Sequence, residues 1–188
     1  MEEVKVRPQS VLTVKRMTRI AMLGAIAAFM SLTPFGYIQI GLVKVTFMHI
    51  PVIIGAIMEG AVGGVIVGLI FGISSLVNGL STPLAPVFLN PMVSIFPRIM
   101  IGLISAWVYK KTKNAAITAA AGTLTNTVGV LSMIYVFASS AFANINHIAI
   151  SNLGKVLALI GIKNGTFEII MAVIVVSAIA KALIKDRK

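Results

Sequence analysis

HIPVIIGAIMEGAVGGVIVGLIFGISSLVNG, residues 49–79, carries one formal charge, Glu59, in an otherwise apolar run. A helix of ~20 residues crosses the hydrocarbon layer of a bilayer, so a single helix here is too long. The Glu59-Gly60 pair near the centre reads as a turn. The stretch therefore predicts two antiparallel spans, 45–58 and 61–77. Gly60, Gly64, Gly68 and Gly72 recur every fourth residue and form three overlapping GxxxG units. Such a stripe lets another backbone approach closely, and packing within the bundle is its simplest use.

The rest of the chain extends this pattern. Of 188 residues, 58% are hydrophobic, with a mean hydropathy of +1.01; soluble domains are ~45–50% apolar. A first span is expected over 18–32, a fourth over 90–109, a fifth over 115–137 and a sixth over 164–183. Residues 35–42 read as an apolar loop or re-entrant turn, 78–89 as a turn-rich loop and 138–153 as a polar-studded loop. A short interfacial helix is expected over 153–162. Pro91 suits the first turn of the fourth span, and Pro97 should kink it. Lys15, Arg16 and Arg19 lead into the first apolar run. A retained helix explains that run better than a signal peptide, because the remainder also spans.

The prediction is an all-α membrane protein: one domain over 1–188, a six-transmembrane-helix bundle, a basic N-terminal segment (1–17) and a basic tail (184–188). Six spans put both ends on one side. That side would carry twelve Lys and Arg against three (Lys44, Lys155, Lys163) on the other, so both termini are expected in the cytoplasm. The net charge of +11 follows from this clustering at span ends and does not call for nucleic acid.

Arg98 and Glu168 are costly at membrane depth, ~2.5–3.5 kcal/mol each on insertion scales, which marks them as candidates for function. Asn90, Ser94 and Arg98 are spaced four apart, as are Asn164 and Glu168, while Thr123, Asn126 and Thr127 share one face of the fifth span. At 1.5 Å per residue, Arg98 lies about 12 Å, Glu168 about 6–9 Å and Asn126 about 16 Å from the outer helix ends. These eight residues are the candidate substrate-binding set. They would line a ligand pocket opening outward; alternatively, an Arg98–Glu168 pair merely ties two helices together.

Several functions are disfavoured. No cysteine is present, and neither His49 nor His147 has partners at metal-ligand spacing. No GxxxxGK[ST] motif occurs, and no serine has an evident activating partner. Glu168 is the one candidate base for an intramembrane enzyme. A stand-alone secondary transporter would often show inverted repeats, which the two halves lack.

The order of TRIAMLGAIAAF (18–29), the 49–79 stretch, NPMVSIFPRIMIGL (90–103) and NGTFEIIMAVIV (164–175) resembles the S components of energy-coupling factor (ECF) vitamin transporters. The NP-x-x-S-x-x-P-R-I segment looks most like pantothenate-type members. The resemblance implies a high-affinity vitamin-binding subunit in a bacterial plasma membrane. It also implies a transmembrane T component and two cytoplasmic ATPase subunits as partners, with ATP used there and no cofactor in this chain. Family members are thought to topple in the membrane to carry the pocket inward. The family's docking motif matches Ala21 and Ala25, with Gly24 and Ala28 beside them. For pantothenate, Arg98 would take the carboxylate and Glu168 would orient Arg98 or accept from a hydroxyl. For hydroxymethylpyrimidine or pyridoxine, Glu168 would lead with Arg98 as its counter-ion.

Overall fold

The computed structural model describes residues 13–33, 36–40 and 43–185. The basic lead-in over 1–12, the break expected at Pro34 and the last tail residues, 186–188, lie outside the described residues. Helix α1 (Val14–Leu32) leads to a two-stranded antiparallel hairpin, β1 (Tyr37–Ile40) and β2 (Val43–Thr46). Then follow α2 (Ile50–Gly79), two short helices, α3 (Ala85–Phe88) and α4 (Pro91–Ser94), and α5 (Phe96–Thr112). Helices α6 (Ala115–Phe137), α7 (Ser139–Ile145) and α8 (Leu153–Lys185) complete the chain, with a 3₁₀ turn at Ile150–Asn152 before α8.

Helix α2 is two arms. Gly60 has φ 72° and ψ −160°, a conformation that breaks a helix and that glycine adopts without a Cβ penalty. A methyl group placed on Gly63 would lie 3.0 Å from the Gly55 carbonyl oxygen. Eight residues of straight helix would separate those two by ~12 Å. The chain therefore reverses at Glu59-Gly60, the turn expected there. The first arm rises only ~15 Å, half a hydrocarbon layer. The β hairpin precedes it where the sequence predicts loop (35–42) and the start of a helix at 45. The alternation YIQI and VKVT suits a strand better than a helix.

The glycine stripe packs inside the bundle, on α5. A Cβ on Gly64 would sit 2.8 Å from the Gly102 carbonyl oxygen and one on Gly72 2.9 Å from Ile95 Cα, while Gly68 lies against the Arg98 backbone. Positions 64, 68 and 72 thus meet 102, 98 and 95 in antiparallel order, at backbone contact that only small residues permit. This crossing places Arg98 against the second arm of α2.

The main core gathers Ile53, Val67, Phe71, Ile101, Ala119 and Val176 from α2, α5, α6 and α8. A second cluster, including Val87, Val93, Phe142 and Leu153, lies under the short helices that connect the long ones. Among the described residues, four helical segments are long and apolar enough to cross a membrane: Ile50–Gly79, Pro91–Thr112, Ala115–Phe137 and Ile150–Ala182. The 153–162 segment is continuous with the last span, giving one helix of 33 residues and ~50 Å. Lys163 and Asn164 do not interrupt it, because a helix continues through polar residues where no proline intervenes.

At the opposite end from the hairpin, the buried Glu59 carboxylate joins α1 to the α2 turn. Its oxygens lie 2.9 Å from Arg16 Nε and 2.6 Å from Arg19 Nε, and Arg16 also donates to the Glu59 carbonyl at 2.8 Å. One acidic residue thus fixes the angle at which α1 leaves the bundle.

Candidate functional site

Arg98 owes its position to a proline. The segment 90–109 is expected as one kinked helix; instead it divides at Ile95 (φ −100°, ψ −50°) into α4 and α5. Pro97 then falls in the first turn of α5, where proline is tolerated. Its missing N–H leaves the Val93 carbonyl, four residues upstream, without its helical donor. The Arg98 guanidinium supplies one, with Nη1 donating at 2.7 Å. Nη2 points to Ser75 Oγ at 3.4 Å, and the guanidinium carbon stands 5.3 Å from the Phe71 ring centroid. Phe71 and Ser75 are one turn apart on the second arm of α2 and hold the cation from the side. Arg98 is 7% exposed, and its Nε has no partner.

Glu168 does not pair with Arg98. Among the described residues the salt bridges all belong to Glu59. The Glu168 carboxylate instead accepts from the Thr46 N–H (3.1 Å) and hydroxyl (2.6 Å) through Oε1, and from the Thr127 hydroxyl (3.3 Å) through Oε2. The bond spans 122 residues and latches β2 of the hairpin onto α8. The expected orienting contact from Glu168 to Arg98, and the simple pair tying two helices together, are both absent. Oε1 thus takes an amide and a hydroxyl donor and Oε2 a single hydroxyl.

Helix α6 lies between these groups. Thr123 is fully buried and shares a 2.9 Å hydrogen bond with His49 Nε2. Thr127, one turn on, is the Glu168 donor. His49 occupies the N-cap position of α2, is 1% exposed and has an unpartnered Nδ1. The amide oxygen of Asn126 is also buried without a partner. His49 Nδ1, Arg98 Nε and Asn126 Oδ1 are three of the buried polar atoms left without a partner, Ser105 Oγ on α5 being another, and buried groups of this kind call for a polar partner.

The remaining predicted residues have visible local roles. Asn90 caps α4, its Oδ1 accepting from the Met92 N–H at 3.0 Å. Ser94, fully buried, donates to the Phe88 carbonyl and ties α4 to α3. Asn164 is half-buried one turn before Glu168. His49, Thr46, Phe71 and Ser75 are absent from the sequence-based set. His49, a lone ring at the head of an apolar run, could have been suspected, but Thr46 shows no signal without knowledge of the hairpin.

An open groove of about 780 Å³ runs between α6 and α8, lined by Leu131, Tyr135, Gly161, Gly165 and Ile169, and it touches the polar set only at Thr127. On α1, Ala21 and Ala25 are exposed and Ala28 half-buried. Gly24 is buried against the Ile70 side chain, so it belongs to the α1–α2 contact and not to that exposed face.

Residues 15–180 match the family model described as ECF transporter, substrate-specific component. The chain is similar to the pantothenic acid transporter PanT of Lactococcus lactis subsp. cremoris, with 35% identity over 164 residues, covering 77% of this chain and 80% of the relative. It is also similar to the pantothenate transporter PanT of Leuconostoc mesenteroides, with 31% identity over 167 residues, 79% of this chain and 81% of the relative.

Proposed function

This chain belongs to the substrate-specific components of ECF transporters, and from that membership we propose that it is the pantothenate-binding subunit of such an importer. The observation that carries the reading is Arg98. It is a buried guanidinium with an unused Nε–H and no carboxylate in reach among the described residues. An isolated buried cation costs several kcal/mol unless an anion joins it. Pantothenate brings one carboxylate, which a guanidinium holds through paired charge-assisted hydrogen bonds. Its amide and hydroxyls offer hydrogen-bonding partners for His49 Nδ1 and Asn126 Oδ1. A ligand led by Glu168 is less well served, because that carboxylate already holds Thr46 and Thr127.

The bundle counts as six spans when α1 and both arms of α2 are taken with α5, α6 and α8. The basic ends of α1, α5 and α8 then face the cytoplasm of a bacterial cell. The site sits in the outer half, beneath the hairpin that Glu168 latches. Release of that latch opens the site outward, and its closure excludes water from the Arg98–carboxylate pair. Two cytoplasmic ATPases and a transmembrane T component supply the energy and the path. The T component docks on the exposed Ala21–Ala25 face of α1, oriented by the Glu59 clamp.

Native mass spectrometry of the detergent-purified chain tests the assignment. A co-purifying mass equal to pantothenate, displaced by added pantothenate, supports it. A neutral or cationic metabolite in that place would reassign the site to a Glu168-led ligand.

A further inference from the structure

We propose that the basic end of the bundle holds an anionic phospholipid in a slot between the α2 turn and α5. The slot is open on one side and measures about 710 Å³. Ile57 and Ala61 flank the turn on one side, Leu103 and Trp107 form the other, and Lys110 and Lys113 stand at the rim. Leu103 and Trp107 are 40% and 58% exposed, so this apolar floor faces whatever surrounds the bundle.

Charge decides the occupant. The chain has five acidic residues, and Glu59 and Glu168 are the two with described side chains. Glu59 is engaged by Arg16 and Arg19, and Glu168 lies on the hairpin side. Lys110 and Lys113, which line the slot, and the neighbouring Lys111 therefore stand without a carboxylate in reach among the described residues. Lys111 is drawn aside, with Nζ 4.2 Å from the Trp107 ring centroid. Lys113, in the left-handed conformation (φ 52°), ends α5, its Nζ 5.8 Å from the Tyr109 ring centroid. An apolar trough with Lys110 and Lys113 in its lining matches an acyl chain below a phosphodiester. Basic pockets between helix ends bind such headgroups by this combination. A soluble anion would gain nothing from the floor, and a zwitterionic lipid would gain nothing from the rim.

The full chain is placed in nanodiscs of phosphatidylglycerol and phosphatidylcholine with matched acyl chains, then delipidated stepwise and followed by native mass spectrometry. One phosphatidylglycerol per chain should persist after phosphatidylcholine is gone. Lys110→Gln with Lys113→Gln should weaken that retention roughly 30-fold, about fivefold per lysine. Ala61→Leu, which fills the slot and leaves every lysine in place, should remove it independently, with circular dichroism melting to establish that each variant is folded. Equal retention of both lipids would overturn the proposal, as would undiminished retention in both variants. Displacement by excess inorganic phosphate would overturn it in favour of a headgroup-only anion site. Loss of T-component co-purification in the lysine variant with phosphatidylglycerol retention unchanged would overturn it in favour of protein docking.

Discussion

Replacing Arg98 by Gln separates the ligand's charge from the rest of the site. In the free protein two effects oppose. The Val93 carbonyl loses its 2.7 Å donor, which costs ~1–3 kcal/mol for a buried unsatisfied group. Against this, a buried cation without a carboxylate is removed, relieving a desolvation penalty of several kcal/mol. The unliganded variant should therefore melt no lower than the parent. With ligand, the balance reverses. Leaving a bound carboxylate without its buried partner costs about 3–5 kcal/mol. At 1.4 kcal/mol per tenfold, that is a loss of roughly 10²- to 10³-fold or more in affinity. The decisive comparison uses the alcohol analogue, in which a hydroxymethyl group replaces the carboxylate. Titration calorimetry of both ligands on parent and variant forms a double-mutant cycle. Arg98→Gln should sharply weaken pantothenate and change the alcohol by less than tenfold. Equal losses for both ligands would refute a direct Arg98–carboxylate contact and leave Arg98 a packing role.

Three further outcomes follow from the same geometry. Glu168→Gln, or Thr46→Val, should loosen the hairpin and raise amide hydrogen exchange over 43–46 while the exchange of α5 stays unchanged; unaltered exchange would remove the latch. Gly68→Leu should destabilise the protein by at least ~1–3 kcal/mol through overpacking against the Arg98 backbone, visible as a lower melting temperature, whereas an unchanged melt would contradict the α2–α5 crossing. Ala21→Trp with Ala25→Trp should leave calorimetric affinity intact and abolish co-purification with the T component; normal yield of the complex would reject that face.

The legible part of the fold was local. Glu59-Gly60 announced the reversal in α2 because a charge and a glycine interrupt an apolar run, and the glycine stripe announced a close helix crossing because its period is that of one helix face. Arg98 and Glu168 stood out because a charge at that depth is expensive. What they touch was not legible. The Arg98 site depends on a carbonyl freed by Pro97, which the sequence placed inside a kinked helix and the structure places at a helix start. Glu168 meets a residue 122 positions away, on a hairpin whose short alternating strands read as loop and helix. The run through Lys163 and Asn164 looked like a boundary, yet α8 continues because packing against α6 outweighs two polar side chains. His49 acquired its partner Thr123 only through the tertiary fold.

The structure of the chain with pantothenate bound is the most direct test of the central claim. The account predicts a ligand carboxylate oxygen within about 3 Å of Arg98 Nε, with His49 and Asn126 facing the ligand and Glu168 still on Thr46. A carboxylate bound away from Arg98, or an Arg98 that turns to pair with Glu168, would contradict it.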